Sequence, residues 1–282
     1  MKSLIILSLF SVSIISFSQK ESHIIYDAKG KRISYNKMIK ELSKCDIILF
    51  GEQHNNPISH WLEYEVTLDL KRLRKITLGA EMIEADNQAS LNNYLSGKIN
   101  LNQFEQEARL WPNYKTDYAP LVELAKENNI SFVATNIQRR YAKEVYRNGF
   151  EILDSIQSYE KEWIAPLPIA FDSELPNYKK ILTMMVDHGS PRLVMAQAIK
   201  DATMAHFILK NYESDDLFIH YNGAFHSNNY EGILWYLKQE NSALNYLTIT
   251  TVSQAEINKL LEENKYLADF IICIDENMTT TY

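Results

Sequence analysis

Cysteine is scarce: Cys45 and Cys273 are the only two in 282 residues. Neither has a neighbour at metal-ligand spacing, which argues against a cysteine-based metal site. Both lie beside apolar, strand-like runs, CDIILF and FIICID. A disulfide is open to them if those strands are neighbours, and two buried thiols are the other outcome. A basic excess is also missing. Lys and Arg number 29 against 36 Asp and Glu, a net charge of −7, so nucleic acid is not an expected partner. An acidic surface points instead to small-molecule, metal or protein partners. No H-E-x-x-H, G-x-S-x-G, G-x-G-x-x-G or P-loop occurs, so a zincin, an α/β-hydrolase triad and a nucleotide enzyme lose their usual signatures. The chain has no internal repeat and no low-complexity tract.

What is present begins with an address. Met1-Lys2-Ser3 is a short positive stretch, Leu4 to Ile15 is apolar but too short to span a bilayer, and Ser16-Phe17-Ser18 offers small residues for cleavage. This is the pattern of a signal peptide over residues 1–18, cut before Gln19. No cysteine follows the apolar stretch, so no lipoprotein attachment site is expected. The mature chain is expected to be exported, periplasmic or secreted, and soluble.

Beyond the address, apolar strand-like runs alternate with helical patterns. The runs begin at Asp46-Phe50, then KITLGAEM, ISFVATN, DLFIHYNG, LNYLTITTVS and DFIICIDE. Between them lie segments with apolar residues at helical spacing, such as Leu62, Val66, Leu70 and Leu73. The early runs are continuously apolar rather than alternating, which marks strands buried on both faces. The reading is one α/β domain over residues 19–282: a mainly parallel central sheet flanked by helices. From about 145 to 190 the pattern loosens. Pro166, Pro168 and Pro176 punctuate an aromatic stretch with Tyr159, Trp163, Phe171 and Tyr178, read as a helical insertion or lid.

In parallel α/β sheets, ligands sit outside the carboxyl ends of the strands. Here those ends carry Gly51-Glu52-Gln53-His54, then Glu81 with Glu84 beyond it, then Asn136 with Arg139 and Arg140, then Gly223-Ala224-Phe225-His226. The spelling G-x-x-H occurs at two strand exits. A glycine lets the chain turn sharply, so that the next side chains face the cleft. Glu52, His54, Glu81 and His226 are therefore the candidate metal ligands, or the catalytic groups of a hydrolase. A carboxylate beside an imidazole also orients it for proton transfer. His60 is expected within the next helix. His206 and His220 are expected to satisfy core hydrogen bonds, and His23 carries no signal. His188, at the end of the insertion after TMMVD, is a further candidate ligand.

Five stretches in this order resemble a known family: LFGEQHNNPISH, LGAEMIEADNQASLNNYLSGKI, WPNYKTDYAPLVELAKENNISFVATN followed by RR, AQAIKDATMA, and NGAFHS. The chain resembles the ChaN-like haem-binding proteins, of the wider group that includes the TIKI proteases and erythromycin esterase-like proteins. The likeness runs from about Lys40 to Leu247. It implies a bacterial envelope protein of haem or iron acquisition, with haem or iron as cofactor. It also implies a homodimer sharing haem and an outer-membrane haem or iron transport system as partner. In metal-dependent relatives, the residues matching Glu52, His54, Glu81 and His226 form the polar site. Lipoprotein members carry a lipobox cysteine that this chain lacks.

Haem iron takes His, Cys, Met or Tyr. The insertion offers Tyr141, Tyr146, Tyr159, Tyr178 and His188, with Arg139 and Arg140 as partners for propionates. Packing in a lid or dimer would call for the same aromatics. Two functions stay open: a haem- or iron-binding protein, and a metal-dependent hydrolase, esterase- or peptidase-like, working through the strand-end Glu/His cluster. A site that has decayed is a third.

Overall fold

The computed structural model describes residues 20–184 and 190–282. The proposed signal peptide (1–18) and His188 lie outside them. Among the described residues the chain alternates strand and helix as the apolar runs demand. Strand β1 (His23–Asp27) is followed by α1 (Tyr35–Leu42), β2 (Ile47–Glu52), α2 (Pro57–Leu73) and β3 (Ile76–Glu84). Next come α3 (Gln88–Leu95), α4 (Leu101–Glu107), a π-helical turn at Tyr114–Tyr118, α5 (Ala119–Glu127), β4 (Ser131–Asn136) and α6 (Arg139–Asn148). Two 3-10 turns, Phe150–Ser155 and Glu160–Trp163, and α7 (Pro176–Met184) form the insertion. The chain closes with α8 (Pro191–Asn211), β5 (Leu217–Gly223), α9 (Ile233–Glu240), β6 (Tyr246–Gln254) and β7 (Phe270–Asp275).

The strands make one seven-stranded sheet in the order β1-β7-β6-β2-β5-β3-β4. All neighbours are parallel except β1 and β7, which are antiparallel. Strands β2, β5 and β7 are buried at every position. This is why their sequences read as unbroken apolar runs, and helices cover both faces. Local chemistry sets the helix ends. Asn56 accepts hydrogen bonds from the Ile58 and Ser59 amides at the start of α2, with Pro57 in the first turn. Ser190 does the same for α8, ahead of Pro191.

Both cysteines are buried free thiols. Burial pushes the Cys45 thiol up to about 12 and the Cys273 thiol to about 11, so both stay protonated. No described helix is long and apolar enough to cross a membrane.

Candidate functional site

The sheet order explains why the strand-end residues meet. Strand β5 lies between β2 and β3, so three adjacent strands deliver their ends to one edge. Glu52 stands opposite Gly223 in the register. On β3 the pairing with β4 slips between Ala80 and Glu84. Glu81 falls inside that irregularity, a device that re-aims a side chain beside a cleft. Its Oε2 accepts the Gly223 amide at 2.8 Å. Gly223 has to be glycine: a Cβ there would lie 2.7 Å from the His54 ring. The two G-x-x-H exits thus interlock, the ring from one crossing the bare backbone of the other.

Around Glu52 the carboxylate is buried and heavily engaged. Oε1 receives His54 Nδ1–H at 2.5 Å and the Tyr118 hydroxyl at 2.8 Å. Oε2 lies 3.2 Å from His60 Nδ1, whose hydrogen bond goes to Glu63 Oε2 at 3.1 Å. Burial pushes the Glu52 carboxyl up, but bonds from His54 and His60 outweigh it and hold it down at about 2. Burial lowers His60; Glu52 and Glu63 more than reverse that and raise it to about 11. Glu63 is forced the other way, well above the carboxylate range, by burial and then by the Glu52 charge. Asp117 closes the group, 3.7 Å from His60 Nε2, and accepts from Asn113 and from Thr281. The Thr281 amide also donates to the Asn55 carbonyl, which lays the end of the chain on this loop.

Around Glu81 the pattern is a chain of carboxylate, imidazole and carboxylate. His226 Nε2 lies 3.2 Å from Glu81 Oε1, and Nδ1 donates to Asp201 of α8. Asp201 is fully buried and also accepts the Tyr178 hydroxyl at 2.9 Å. Gln197, one turn back on α8, places its amide 2.8 Å from Nδ1. Burial pulls His226 down, but Glu81 and Asp201 prevail and raise it to about 9, so the ring is a cation at neutral pH. Burial raises Glu81, and the His226 and His54 charges hold it below the usual range.

The edge therefore gathers Glu52, His54, Glu81 and His226, but not round one point. Among the described residues, the group whose ligand atoms lie within 4.8 Å of one another is Glu52, His60 and Glu63. His60 sits in α2 as expected. His220 is a core histidine bonded to Thr135 and Asn222. His206 is half-buried edge-on against Phe207.

The haem candidates of the insertion do not converge. Tyr178 is buried with its hydroxyl on Asp201, and Tyr141 is buried with its hydroxyl accepting from Arg140 at 2.8 Å. Tyr146 and Tyr159 are exposed, at 41% and 62%. Arg139 is exposed, and its backbone amide rests on Glu84. Arg140 is tied to Glu160. His188 is outside the described residues.

Sequence reading missed Asp201, Tyr118, Asp117 and Glu63. A signal for two of them exists. Asp201 is a charge among small apolar residues in AQAIKDATMA, and His60-x-x-Glu63 places two polar groups on one helical face.

A family model described as haem-binding uptake, Tiki superfamily, ChaN matches residues 38–237. No curated protein matches the chain. The fold is similar to that of ChaN of Campylobacter jejuni, described with cofacially bound haem. The TM-score is 0.68 at 19% identity, covering 90% of this chain and 97% of that one. A protein from Bacillus cereus is similar at 14% identity and TM-score 0.47, over 78% of this chain and 70% of its own. A mutant erythromycin esterase, EreC, in its open conformation is similar at 9% identity and TM-score 0.48, over 90% and 99%.

Proposed function

The chain belongs to the haem-binding uptake family of the Tiki superfamily that includes ChaN, and from that premise we propose that it is an exported haem-binding protein of haem or iron acquisition. The observation that carries this reading is the extent of the match, residues 38–237, which takes in both G-x-x-H exits and the insertion. Residues 1–18 serve as its signal peptide in this reading, and an outer-membrane haem or iron transport system is its partner.

The insertion suits haem on its outer face. The phenols of Tyr141 and Tyr178 are buried and bonded, so neither is placed to ligate iron. Tyr146 and Tyr159 are exposed and remain as axial ligands for ferric haem. Tyr141, Ile152 and Ile156 line a cleft of about 260 Å³ there. Closed ligand pockets run to roughly 300–1,000 Å³, so the cleft takes the edge of a porphyrin rather than enclosing it. In this reading a second copy of the chain covers the other face, making a homodimer. We assign the exposed Arg139 to a propionate.

Titration of the purified chain with ferric haem, read by visible absorbance, tests this. A Soret shift saturating at one haem per chain is expected, and Tyr146→Phe with Tyr159→Phe together should abolish it. No shift in the wild-type chain, with no iron retained on isolation, would sink the reading.

One observation favours a second reading, hydrolysis. His54 is half-exposed, backed by Glu52, and near enough to His226 to be influenced by its charge. A carboxylate-backed imidazole can take a proton from water, and a neighbouring cation can meet the developing oxyanion. Ester or peptide cleavage that survives unchanged in a His54→Ala, His226→Ala double variant would remove this alternative.

A further inference from the structure

Beneath His54, three side chains aim their ligand atoms at one another. Glu52 comes from the end of β2. His60 and Glu63 come from α2, three residues apart and so on one face of the helix. His60 Nδ1 is 3.1 Å from Glu63 Oε2 and 3.2 Å from Glu52 Oε2. The Glu52 and Glu63 side chains have no solvent exposure, and that of His60 is 6% exposed. Buried polar atoms are nearly always hydrogen-bonded. Yet Glu63 Oε1 has no hydrogen-bond partner, and Glu52 Oε2 has only the contact with His60 Nδ1, whose hydrogen bond goes to Glu63.

The other nitrogen of His60 fixes its tautomer. Nε2 lies 3.0 Å from the His54 carbonyl oxygen. A carbonyl only accepts, so Nε2 carries a hydrogen. A metal ion would displace the proton that Nδ1 shares with Glu63, and the lone pair so freed faces two carboxylates. Imidazoles that ligate metals are held in this way, the second N–H on a backbone carbonyl. Two carboxylates and one imidazole make a donor set for a divalent first-row ion such as Zn²⁺, Mn²⁺ or Fe²⁺. A charge of +2 would also let Glu63 ionise beside Glu52, where burial and the Glu52 charge otherwise keep its proton on.

We propose that Glu52, His60 and Glu63 form a divalent transition-metal site, bound through Glu52 Oε2, His60 Nδ1 and the Glu63 carboxylate. It is separate from haem binding and does not depend on it. Nor is it the strand-end set, since His54, Glu81 and His226 contribute no ligand. Glu52 joins the two levels: Oε2 holds the ion while Oε1 holds His54. Tyr118 and Asp117 form the outer ring, bonded to Glu52 and facing His60.

The test is a Co²⁺ titration of the chelator-treated full chain, followed by its visible d–d bands. One equivalent per chain, displaced by Zn²⁺, is expected. Glu63→Gln, which keeps the side chain's shape, and His60→Asn should each weaken binding by more than the roughly 10–100-fold that loss of an outer partner costs. His54→Ala removes only such an outer partner and should cost no more than that, leaving one equivalent bound. Circular dichroism checks that each variant folds. If both ligand variants unfold, long-range ¹H–¹⁵N spectra of the wild-type chain decide. Zn²⁺ should then move the Nδ1 resonance of one histidine that keeps its Nε2 proton. Absence of stoichiometric Co²⁺, full binding in Glu63→Gln, loss in His54→Ala, or an unmoved Nδ1 resonance would each overturn the proposal.

Discussion

The two G-x-x-H exits share a spelling and adjacent strands, yet their imidazoles end in opposite circumstances. His226 is shut in, with Asp201 on one nitrogen and Glu81 on the other. His54 keeps 36% of its side chain exposed and touches one carboxylate. The motif fixes where the chain turns. What arrives from elsewhere fixes charge and access: α8 brings Asp201 to His226, whereas the second histidine to reach Glu52 is His60 of α2. One exit carries a fixed cation, and the other a ring that a ligand or water can reach.

The sharpest way to break this contrast is Asp201→Ala. It strips His226 and Tyr178 of a shared buried partner. Removing one member of a buried charge pair costs about 3–5 kcal/mol, and urea unfolding should show a loss of that size. A loss under about 1 kcal/mol would mean that His226 does not rely on α8. Gly223→Ala attacks the interlock itself. Its Cβ drives into the His54 ring, and overpacking of this kind costs about 1–3 kcal/mol. The His54 ring resonances should move while those of His220, deeper in the sheet, stay. His54→Ala is milder, about 1 kcal/mol for one hydrogen bond whose acceptor keeps Tyr118. If it proved as damaging as Asp201→Ala, the two exits would be equivalent after all.

The same contrast has a pH dependence that needs no substitution. The folded value of His226, about 9, lies above its ordinary 6.5. Its stabilisation is therefore fully present below 6.5 and fades as pH rises through about 9. Stability should fall from about pH 7 towards about pH 10, and the His226 resonance should titrate in the same window. A His226 that titrates below 6.5 would mean a neutral ring and no fixed cation.

Much of the frame was legible in the sequence. Unbroken apolar runs such as Ile47–Phe50 mark strands buried on both faces, and the glycine or polar residues that end them mark the sheet's carboxyl edge. Strand order was not legible. Nothing local in DLFIHYNG says that it slots between β2 and β3, although that placement joins Glu52 to Glu81. Asp201 was hidden because its role depends on how α8 docks. The insertion's tyrosines look alike in sequence, but five residues at about 100° each put Tyr141 and Tyr146 on different sides of α6. One is buried and the other exposed. His60 is legible as a helix residue, but nothing local in the sequence shows that Glu63, one turn on, packs with it behind Glu52.

Strand β2 is hydrogen-bonded along both sides, to β5 and to β6. Seen as a matter of time, this separates two clocks. Fraying and partial opening start at edges, so amides at residues 49–51 exchange with solvent only when the whole domain unfolds. Side-chain turning of the half-exposed His54 ring, at the end of the same strand, is far faster than unfolding. Hydrogen exchange at β2 should thus stay slow even where the His54 ring turns freely.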